Sequence, residues 1–177
     1  MEGDDQVRER FERVFREHYA AVCAYAFRRA DRATAQDAVS ETFLIAWRRC
    51  SELPAEPLPW LFSTARRVLA NQRRAAGHQR SIEDRLASEA VAPAGDAMEA
   101  LGYASACRAA LNRLSERDRE TLMLVAWEEL DRVAAARAVG CSRATFAVRL
   151  HRARRRFRHE LAAAGFESAT CETMEAA

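Results

Sequence analysis

Apolar residues recur at helical spacing along most of the chain, and short polar segments separate the repeats. The first stripe predicts a helix over about 8–29 and the second a helix over about 35–49, with a polar turn around Asp31 between them. The segment 51–59 holds three of the four prolines and therefore predicts a loop. Pro59 can begin a third helix, because the first helical turn does not need the N–H that proline lacks.

Each of these three helices has one apolar side that we expect to face a core. In the first helix the stripe comprises Phe11, Val14, Phe15, Tyr19, Val22 and Ala26. In the second helix the inward positions are Ala38, Thr42, Phe43, Ala46 and Trp47. In the third helix they are Trp60, Leu61, Thr64, Ala65, Val68 and Leu69. The other side of the third helix is basic, since residues 61–80 contain five arginines and no acid.

The segment 114–157, LSERDRETLMLVAWEELDRVAAARAVGCSRATFAVRLHRARRRF, predicts three helices with a glycine turn before the last. Ser115 and Asp118 have the spacing of an N-terminal helix cap. Gly140 can adopt the positive φ that ends a short alanine-rich helix, and Ser142 can cap the helix that follows. Helix, glycine-containing turn and helix in this order are typical of a helix-turn-helix, whose second helix enters the DNA major groove.

The helix after this turn has one apolar and one basic side. The apolar positions are Phe146, Leu150, Ala153, Phe157 and Leu161. From Arg143 to Arg158 there are seven arginines, and the first acid is Glu160. Like charges one turn apart destabilise a helix, whereas a bound polyanion relieves the repulsion. A solvated surface helix is the alternative, but the motif and the charge together favour nucleic-acid binding.

Composition points to an all-α protein. The chain has 177 residues, 49% hydrophobic and 31% charged, which is enough apolar material for one ordinary domain or two small ones. Only four prolines and six glycines interrupt it, and β-branched runs are absent. The net charge is only +2, so affinity for DNA has to come from local clusters of arginine.

Several classes of protein are disfavoured by the sequence. The five cysteines include no CxxC pair, and none is spaced with a histidine as zinc ligands are, so we expect no metal; redox sensing is a minor alternative. No signal peptide and no apolar run of about 20 residues occurs, which predicts a cytoplasmic protein without membrane insertion. The four histidines are dispersed and no phosphate-binding loop is present, so we expect no enzyme, no catalytic residue and no cofactor.

A change of composition in the middle of the chain predicts two helical units. Residues 81–102 contain five acids against one arginine, with alanine, glycine and proline interspersed. The expected organisation is a disordered tail over 1–10, a first unit over 11–80, an acidic linker over 81–102, a helix-turn-helix unit over 103–165 and a disordered tail over 166–177.

Three segments resemble the bacterial sigma factors of the extracytoplasmic-function (ECF) group, within the sigma-70 superfamily, which consist of the domains σ2 and σ4 joined by a linker. They are DRATAQDAVSETFLIAWRR, PWLFSTARRVLANQRR, and LSERDRETLMLVAWEEL followed by GCSRATFAVRLHRARRRF. The resemblance covers about 11–80 and 105–161. It implies a protein that binds core RNA polymerase at the β′ clamp helices and the β flap, directs it to promoter DNA, and is controlled by an anti-sigma factor.

The resemblance also implies roles for particular residues. Those expected to bind polymerase are Asp37, Glu41, Phe43 and Trp47, with core packing as the alternative for the two aromatic residues. Those expected to bind the −10 element are Trp60, Arg66, Arg67, Arg73 and Arg74. Those expected to bind the −35 element are Arg143, Arg149, His151 and Arg152. The chain departs from the family pattern at Ser40, Arg67, Ala147 and Val148, and the last two replace a basic residue and a serine that contact DNA.

Two other functions fit parts of the sequence. A stand-alone helix-turn-helix regulator would need only the second unit, and the 35–74 block, with no obvious dimerisation helix, argues against it. A polymerase-binding decoy without promoter activity would explain the losses at Ala147 and Val148.

Overall fold

A computed structural model of the protein describes residues 2–79 and 98–166, with side chains for 5–75 and 102–166. All regular structure within these ranges is helical, which confirms the all-α prediction. The chain divides into two compact units, Met1–Val91 and Ala92–Ala177.

Within residues 2–79, the first unit contains three long helices. They are α1 (Glu2–Phe27), α2 (Arg32–Arg48) and α3 (Leu58–Gln79), with a short 3-10 turn at Cys50–Glu52. The predicted turn at Asp31 is confirmed, because its carboxylate accepts hydrogen bonds from the Thr34 backbone N–H at 3.1 Å and the Thr34 hydroxyl at 2.7 Å. These bonds satisfy a donor that the first turn of α2 would otherwise leave unpaired.

Helix α1 begins at Glu2, so residues 2–10 are helical where the sequence predicted a disordered tail over 1–10. Residues 7 and 10 of this helix are held by hydrogen bonds to residues that are distant in the sequence. The Cys50 thiol donates to the Val7 carbonyl at 3.4 Å, and the Arg10 guanidinium donates to the Leu53 carbonyl at 2.5 Å. Both bonds join α1 to the loop before α3, which hydrophobic periodicity could not indicate.

The core of the first unit lies where the three helices meet. Its largest fully buried side chains are Tyr25 and Phe62, whose rings stack with centroids 4.7 Å apart. Phe62 was not among the predicted inward positions of α3. It is buried because α3 packs on both α1 and α2 and therefore covers a wider sector than one stripe. The Arg29 guanidinium lies 3.6 Å from the centroid of the Tyr25 ring.

Residues 98–166 of the second unit form four helices. They are α4 (Met98–Arg113), α5 (Glu116–Ala126), α6 (Arg132–Val139) and α7 (Arg143–Ala163). Phe146, Leu150 and Ala153 of α7 are buried as predicted. Leu161 is buried against α4, beside the half-buried Phe157. The core side of α6 is made of alanines, and their small side chains allow α6 to lie close to α7.

Helix α4 begins at Met98, before the expected start of the second unit at 103. The remainder of the expected linker, and the tail after Phe166, lie outside the described residues. The predicted limits of the linker and of both units therefore stay predictions.

Candidate functional site

The turn between α6 and α7 has the geometry that the sequence predicted. Gly140 has φ 68° and ψ 46°, the left-handed conformation that ends α6. Its N–H donates to the Arg137 carbonyl at 3.2 Å, and the Cys141 N–H donates to the Ala136 carbonyl at 3.0 Å. These two bonds close the helix end as a Schellman motif. Ser142 then caps α7, because its hydroxyl accepts from the Thr145 N–H at 3.1 Å.

Two further caps hold α5 and α6 in place. The Ser115 hydroxyl accepts from the Asp118 N–H at 3.2 Å and donates to the Asp118 carboxylate at 2.9 Å, which confirms the predicted cap. The same carboxylate is buried and forms an ion pair with Arg156 of α7. Asp131 caps α6 through hydrogen bonds from the Val133 and Ala134 N–H groups, both at 2.7 Å. The sequence interpretation overlooked this cap, although an aspartate directly before an alanine-rich helix is its usual signal.

The side of α7 that faces away from the core forms the outward face, which we define by Ala144, Val148, His151, Arg152 and Arg155. At about 100° per residue these positions lie opposite the buried stripe of Phe146, Leu150 and Ala153. All five are exposed. Of the residues predicted to bind the −35 element, His151 and Arg152 belong to this face.

The other two predicted −35 residues lie beside it. Arg149 is half-buried and, with Arg117, Arg152 and Arg156, lines an open groove of about 690 Å³ between α5 and α7. Arg143 is exposed at the start of α7. Hydrogen bonds from the Ala134 and Val133 N–H groups are the main causes that lower the pKa of Asp131, and the charges of Arg137 and Arg143 lower it further. The arginines of α7 are therefore not equivalent.

Helix α3 carries the second basic surface, and its arginines form two rows. Trp60, Arg67, Asn71 and Arg74 share one row, since they are spaced by three, four and seven residues. We call these four residues the tryptophan row. Trp60 is half-buried and the other three are exposed. The Arg74 guanidinium donates to the Asn71 side-chain oxygen at 2.5 Å, so the polar part of the row is internally connected.

Arg66 and Arg73 lie about 120° around the helix from the tryptophan row. The Arg73 guanidinium donates to the Arg29 carbonyl at 2.7 Å, beyond the end of α1. Arg66 is half-buried. Because Arg73 binds the backbone of its own unit, it supports the packing of α3 as well as adding charge.

Helix α2 presents the residues predicted to bind polymerase on two different sides. Asp37 and Glu41 are exposed on one row with Leu44, which is 42% exposed. Leu44 was not among the predicted residues, although its spacing of three from Glu41 places it on the same face. We call these three residues the acidic row.

The aromatic residues of α2 lie on the side that faces α1. Phe43 is buried against Phe15, with ring centroids 4.8 Å apart, so core packing accounts for it. Trp47 is 44% exposed, and its ring centroid lies 5.0 Å from that of Phe11. Its expected inward position is therefore wrong. A tryptophan one position beyond the buried Ala46 reaches only the rim of the core.

Side chains of α1 extend this rim into an exposed aromatic surface. Phe15 and Tyr19 are 40% and 44% exposed, and their ring centroids are 4.9 Å apart. We call Phe11, Phe15, Tyr19 and Trp47 the aromatic ladder. From the sequence, Phe11, Phe15 and Tyr19 were predicted to belong to a core stripe. A helical repeat identifies the apolar side of α1 but does not show how much of that side a neighbouring helix covers.

Within 2–79 and 98–166, no helix is long and apolar enough to cross a bilayer. In the same ranges, no group of three or more histidine, cysteine or acidic side chains is arranged to hold a metal ion.

Comparison with known proteins identifies both units. The models for sigma-70 region 2 and sigma-70 region 4 match residues 14–79 and 106–157. The sigma factor RpoE of Bartonella quintana, solved with the anti-sigma factor NepR, is 27% identical with a TM-score of 0.68, and the match covers 85% of this chain and 96% of RpoE. CnrH, solved with the cytosolic domain of CnrY, is 21% identical with a TM-score of 0.58 over 86% of this chain and 88% of CnrH, and shares the fold. No curated protein sequence matches significantly.

Region 2 and region 4 follow one another in this order along the chain, each in one of the two compact units. The chain belongs to the sigma-70 family, in the extracytoplasmic-function group, and is a sigma factor that binds core RNA polymerase and directs it to promoter DNA.

Proposed function

We propose that three separate surfaces of this sigma factor divide its work between polymerase, the −10 element and the −35 element. The observation that carries the proposal is the outward face of α7, which a Schellman turn and a serine cap hold in position. Among the described residues, His151 and Arg152 of this face have no hydrogen-bond or ion-pair partner. Their polar groups are therefore available to DNA.

The acidic row of α2 binds the β′ clamp helices of polymerase. Asp37 and Glu41 offer two carboxylates one turn apart, which suits arginines on a facing helix. Leu44 adds an exposed apolar side chain beside them. Charged groups around an apolar contact favour both fast association and a fixed register. Trp47 lies at the border of this surface, whereas Phe43 is buried beneath it and packs against α1.

The second unit contacts the β flap of polymerase.

The tryptophan row of α3 holds the opened −10 element. Trp60 is half-buried, so part of its ring is open to an unstacked base, while Arg67 and Arg74 attract the displaced backbone. Arg66 and Arg73 extend the positive field on the other row. We expect them to contribute less, because they lie about 120° around α3 from Trp60 and because the Arg73 guanidinium is held at the Arg29 carbonyl beyond the end of α1.

The outward face of α7 reads the −35 element in the major groove. Arg152 and His151 face the base edges, whereas Arg149 and Arg143 lie at the two sides of the helix, where DNA phosphates pass. Arginine binds guanine with two hydrogen bonds, each such pair giving about 1–3 kcal/mol of discrimination.

An anti-sigma factor controls the protein by covering the aromatic ladder and the acidic row. The similar RpoE is itself found in complex with an anti-sigma factor. Four half-exposed large apolar side chains, Phe15, Tyr19, Leu44 and Trp47, are typical of a surface that a protein partner buries. The sigma factor carries out no catalytic step of its own and acts in the cytoplasm beside polymerase.

Run-off transcription with purified core polymerase tests the function. The full chain, added to core enzyme and fragments of the source genome, should produce discrete start sites preceded by shared −35 and −10 elements. Duplex binding without initiation would instead indicate a stand-alone helix-turn-helix regulator. Binding of core enzyme without any start would indicate a decoy.

A further inference from the structure

The centre of the outward face of α7 is apolar. Val148 is 51% exposed and lies about 180° around the helix from the middle of the buried stripe that starts at Phe146. Ala144 is exposed one turn earlier on the same face, and Ala147 is half-buried beside it. The first two turns of α7 therefore present exposed methyl groups, and Ala144 and Val148 also line the groove between α5 and α7.

Polar side chains near this patch do not cover it. Thr145 bonds to the capping residue, since its hydroxyl lies 2.8 Å from the Ser142 hydroxyl. The polar part of the face begins only at His151 and continues through Arg152 and Arg155. Along α7 the outward face thus changes from apolar near the N-terminus to basic farther on.

The patch lies on the part of α7 that, in a helix-turn-helix, contacts DNA bases, which distinguishes Val148 from an isolated surface valine. In a helix-turn-helix the N-terminal residues of the second helix are those that reach base edges, while later residues approach the backbone. Ala144 and Val148 occupy those N-terminal positions on the outward face. Their side chains have neither donors nor acceptors, so they cannot form hydrogen bonds with a base.

The major groove offers one apolar feature, which is the C5-methyl group of thymine. A cytosine amino group or a guanine carbonyl placed against Val148 would lose water without gaining a hydrogen bond, which is unfavourable. A thymine methyl placed there would lose only unfavourable contact with water.

We propose that Val148, supported by Ala144, is a specificity-determining residue that recognises a thymine methyl group within the −35 element. The inference rests on the proposed docking of the outward face in the major groove. In this reading Arg152 and His151 supply polar contacts to the neighbouring base pairs, and the valine selects thymine at one position between them and the start of the helix.

Deoxyuridine tests the inference, because it differs from thymidine only by the missing methyl group. Promoters found by run-off transcription are resynthesised with each −35 thymine, on either strand, replaced in turn by deoxyuridine. Full-length protein with core polymerase should bind about fourfold more weakly when one particular thymine is replaced, as expected for one buried methyl-sized group.

The variant Val148→Ser should bind thymine and deoxyuridine promoters equally, while Val148→Thr, which keeps one methyl group, should show an intermediate ratio. Val133→Ser is the matched control. Val133 is a 38% exposed valine on α6, outside the outward face, and its replacement should leave the ratio unchanged. Because both valines are exposed, none of these changes should alter the thermal unfolding temperature appreciably.

Two outcomes would overturn the inference while leaving the proposed function intact. One is specific initiation with equal affinity for every thymine and deoxyuridine promoter. The other is a thymine preference that survives Val148→Ser, which would assign the methyl contact to a different residue. Failure to find any specific start would instead contradict the proposed function, and this inference with it.

Discussion

In the region-2 unit the charged surface of α3 is partly bound by its own fold, whereas in the region-4 unit the outward face of α7 is not. Arg73 donates to the Arg29 carbonyl and Arg67 to the Ser63 carbonyl, at 2.7 Å and 3.2 Å. His151 and Arg152 have no partner among the described residues. To read a duplex through its major groove, a protein needs side chains that are free to reach the base edges. To hold an unpaired strand, it needs side chains already positioned to contact the backbone and to stack on the bases.

The two units also differ in how their helices are positioned. In the region-4 unit, the ends of α5, α6 and α7 are set by caps at Ser115, Asp131 and Ser142 and by the turn at Gly140. In the region-2 unit, long helices pack through aromatic rings such as the stacked Tyr25 and Phe62. Local bonds set where α7 begins, whereas packing between helices fixes the surfaces of α2 and α3.

The largest effect should follow from reversing the acidic row. Asp37→Arg together with Glu41→Arg should reduce capture of core polymerase at least hundredfold, because two attractive contacts become repulsive. Both residues are exposed, so the far-UV circular dichroism should not change. The same reversal at Glu52 and Glu56, two exposed acids of the loop before α3, is the control and should leave capture intact. Undiminished capture by the α2 variant would remove this row from the polymerase interface.

Arginine substitutions should separate the two DNA-binding surfaces. Arg152→Ala should weaken cognate duplex binding more than random duplex binding, about tenfold or more, if its guanidinium reaches a base. Arg149→Ala should weaken both equally and lower the salt dependence, as expected for a phosphate contact. Gel-shift titration at two salt concentrations measures both effects.

The matching change in the region-2 unit is Arg67→Ala with Arg74→Ala. This pair should spare duplex binding but reduce permanganate reactivity of thymines at the −10 element, since the tryptophan row holds unpaired DNA. Arg73→Ala is the control, and its main expected effect is on thermal unfolding. Equal defects from the α3 pair and from Arg152→Ala in both assays would show that the two surfaces do not divide the work.

The turn before α7 should be sensitive to its one glycine. Gly140→Ala forces a Cβ into the left-handed region, at φ 68°, and should destabilise the region-4 unit by about 1–2 kcal/mol. Nothing lies within 4 Å of the added Cβ, so backbone strain alone produces the loss. Gly140→Asn should cost less, since asparagine tolerates this conformation. Chemical denaturation measures the difference, and equal losses would argue against a conformational cause.

The smallest expected effect is the pH dependence of the caps. Hydrogen bonds from the Ala134 and Val133 N–H groups lower the pKa of Asp131, and bonds from the Thr34 N–H and hydroxyl lower the pKa of Asp31. Each carboxylate therefore stabilises the fold above its usual pKa near 3.8, and the contribution is lost as the pH falls through the lowered value. Melting curves between pH 5 and pH 2 should show the decline, and Asp131→Asn should make it shallower. An unchanged slope would show that the Asp131 carboxylate contributes nothing.

Much of the region-4 unit follows from local sequence. Ser115, Gly140 and Ser142 each act on groups within five residues, and all three predictions are confirmed. The buried stripe of α7 follows in the same way from the helical period. These hydrogen bonds join residues a few positions apart, and their geometry is set by the helix end itself, so the sequence alone predicts them.

In the region-2 unit, local sequence patterns did not predict which large side chains are buried. The helical repeat correctly predicted three helices, but it placed Trp47 inside and missed the burial of Phe62. Which flank of an apolar stripe is covered depends on the width and angle of the neighbouring helix, and no local pattern contains that information.

By itself, the sequence determined the all-α composition, the capped turn of the helix-turn-helix and the concentration of arginine on two helices. Only the tertiary structure decided which of those arginines are free, that the aromatic ladder is exposed, and that Val148 stands at the centre of the outward face. The physical reason is range. Helix periodicity and capping act within one or two turns, whereas exposure is set by packing between segments that lie far apart in the chain.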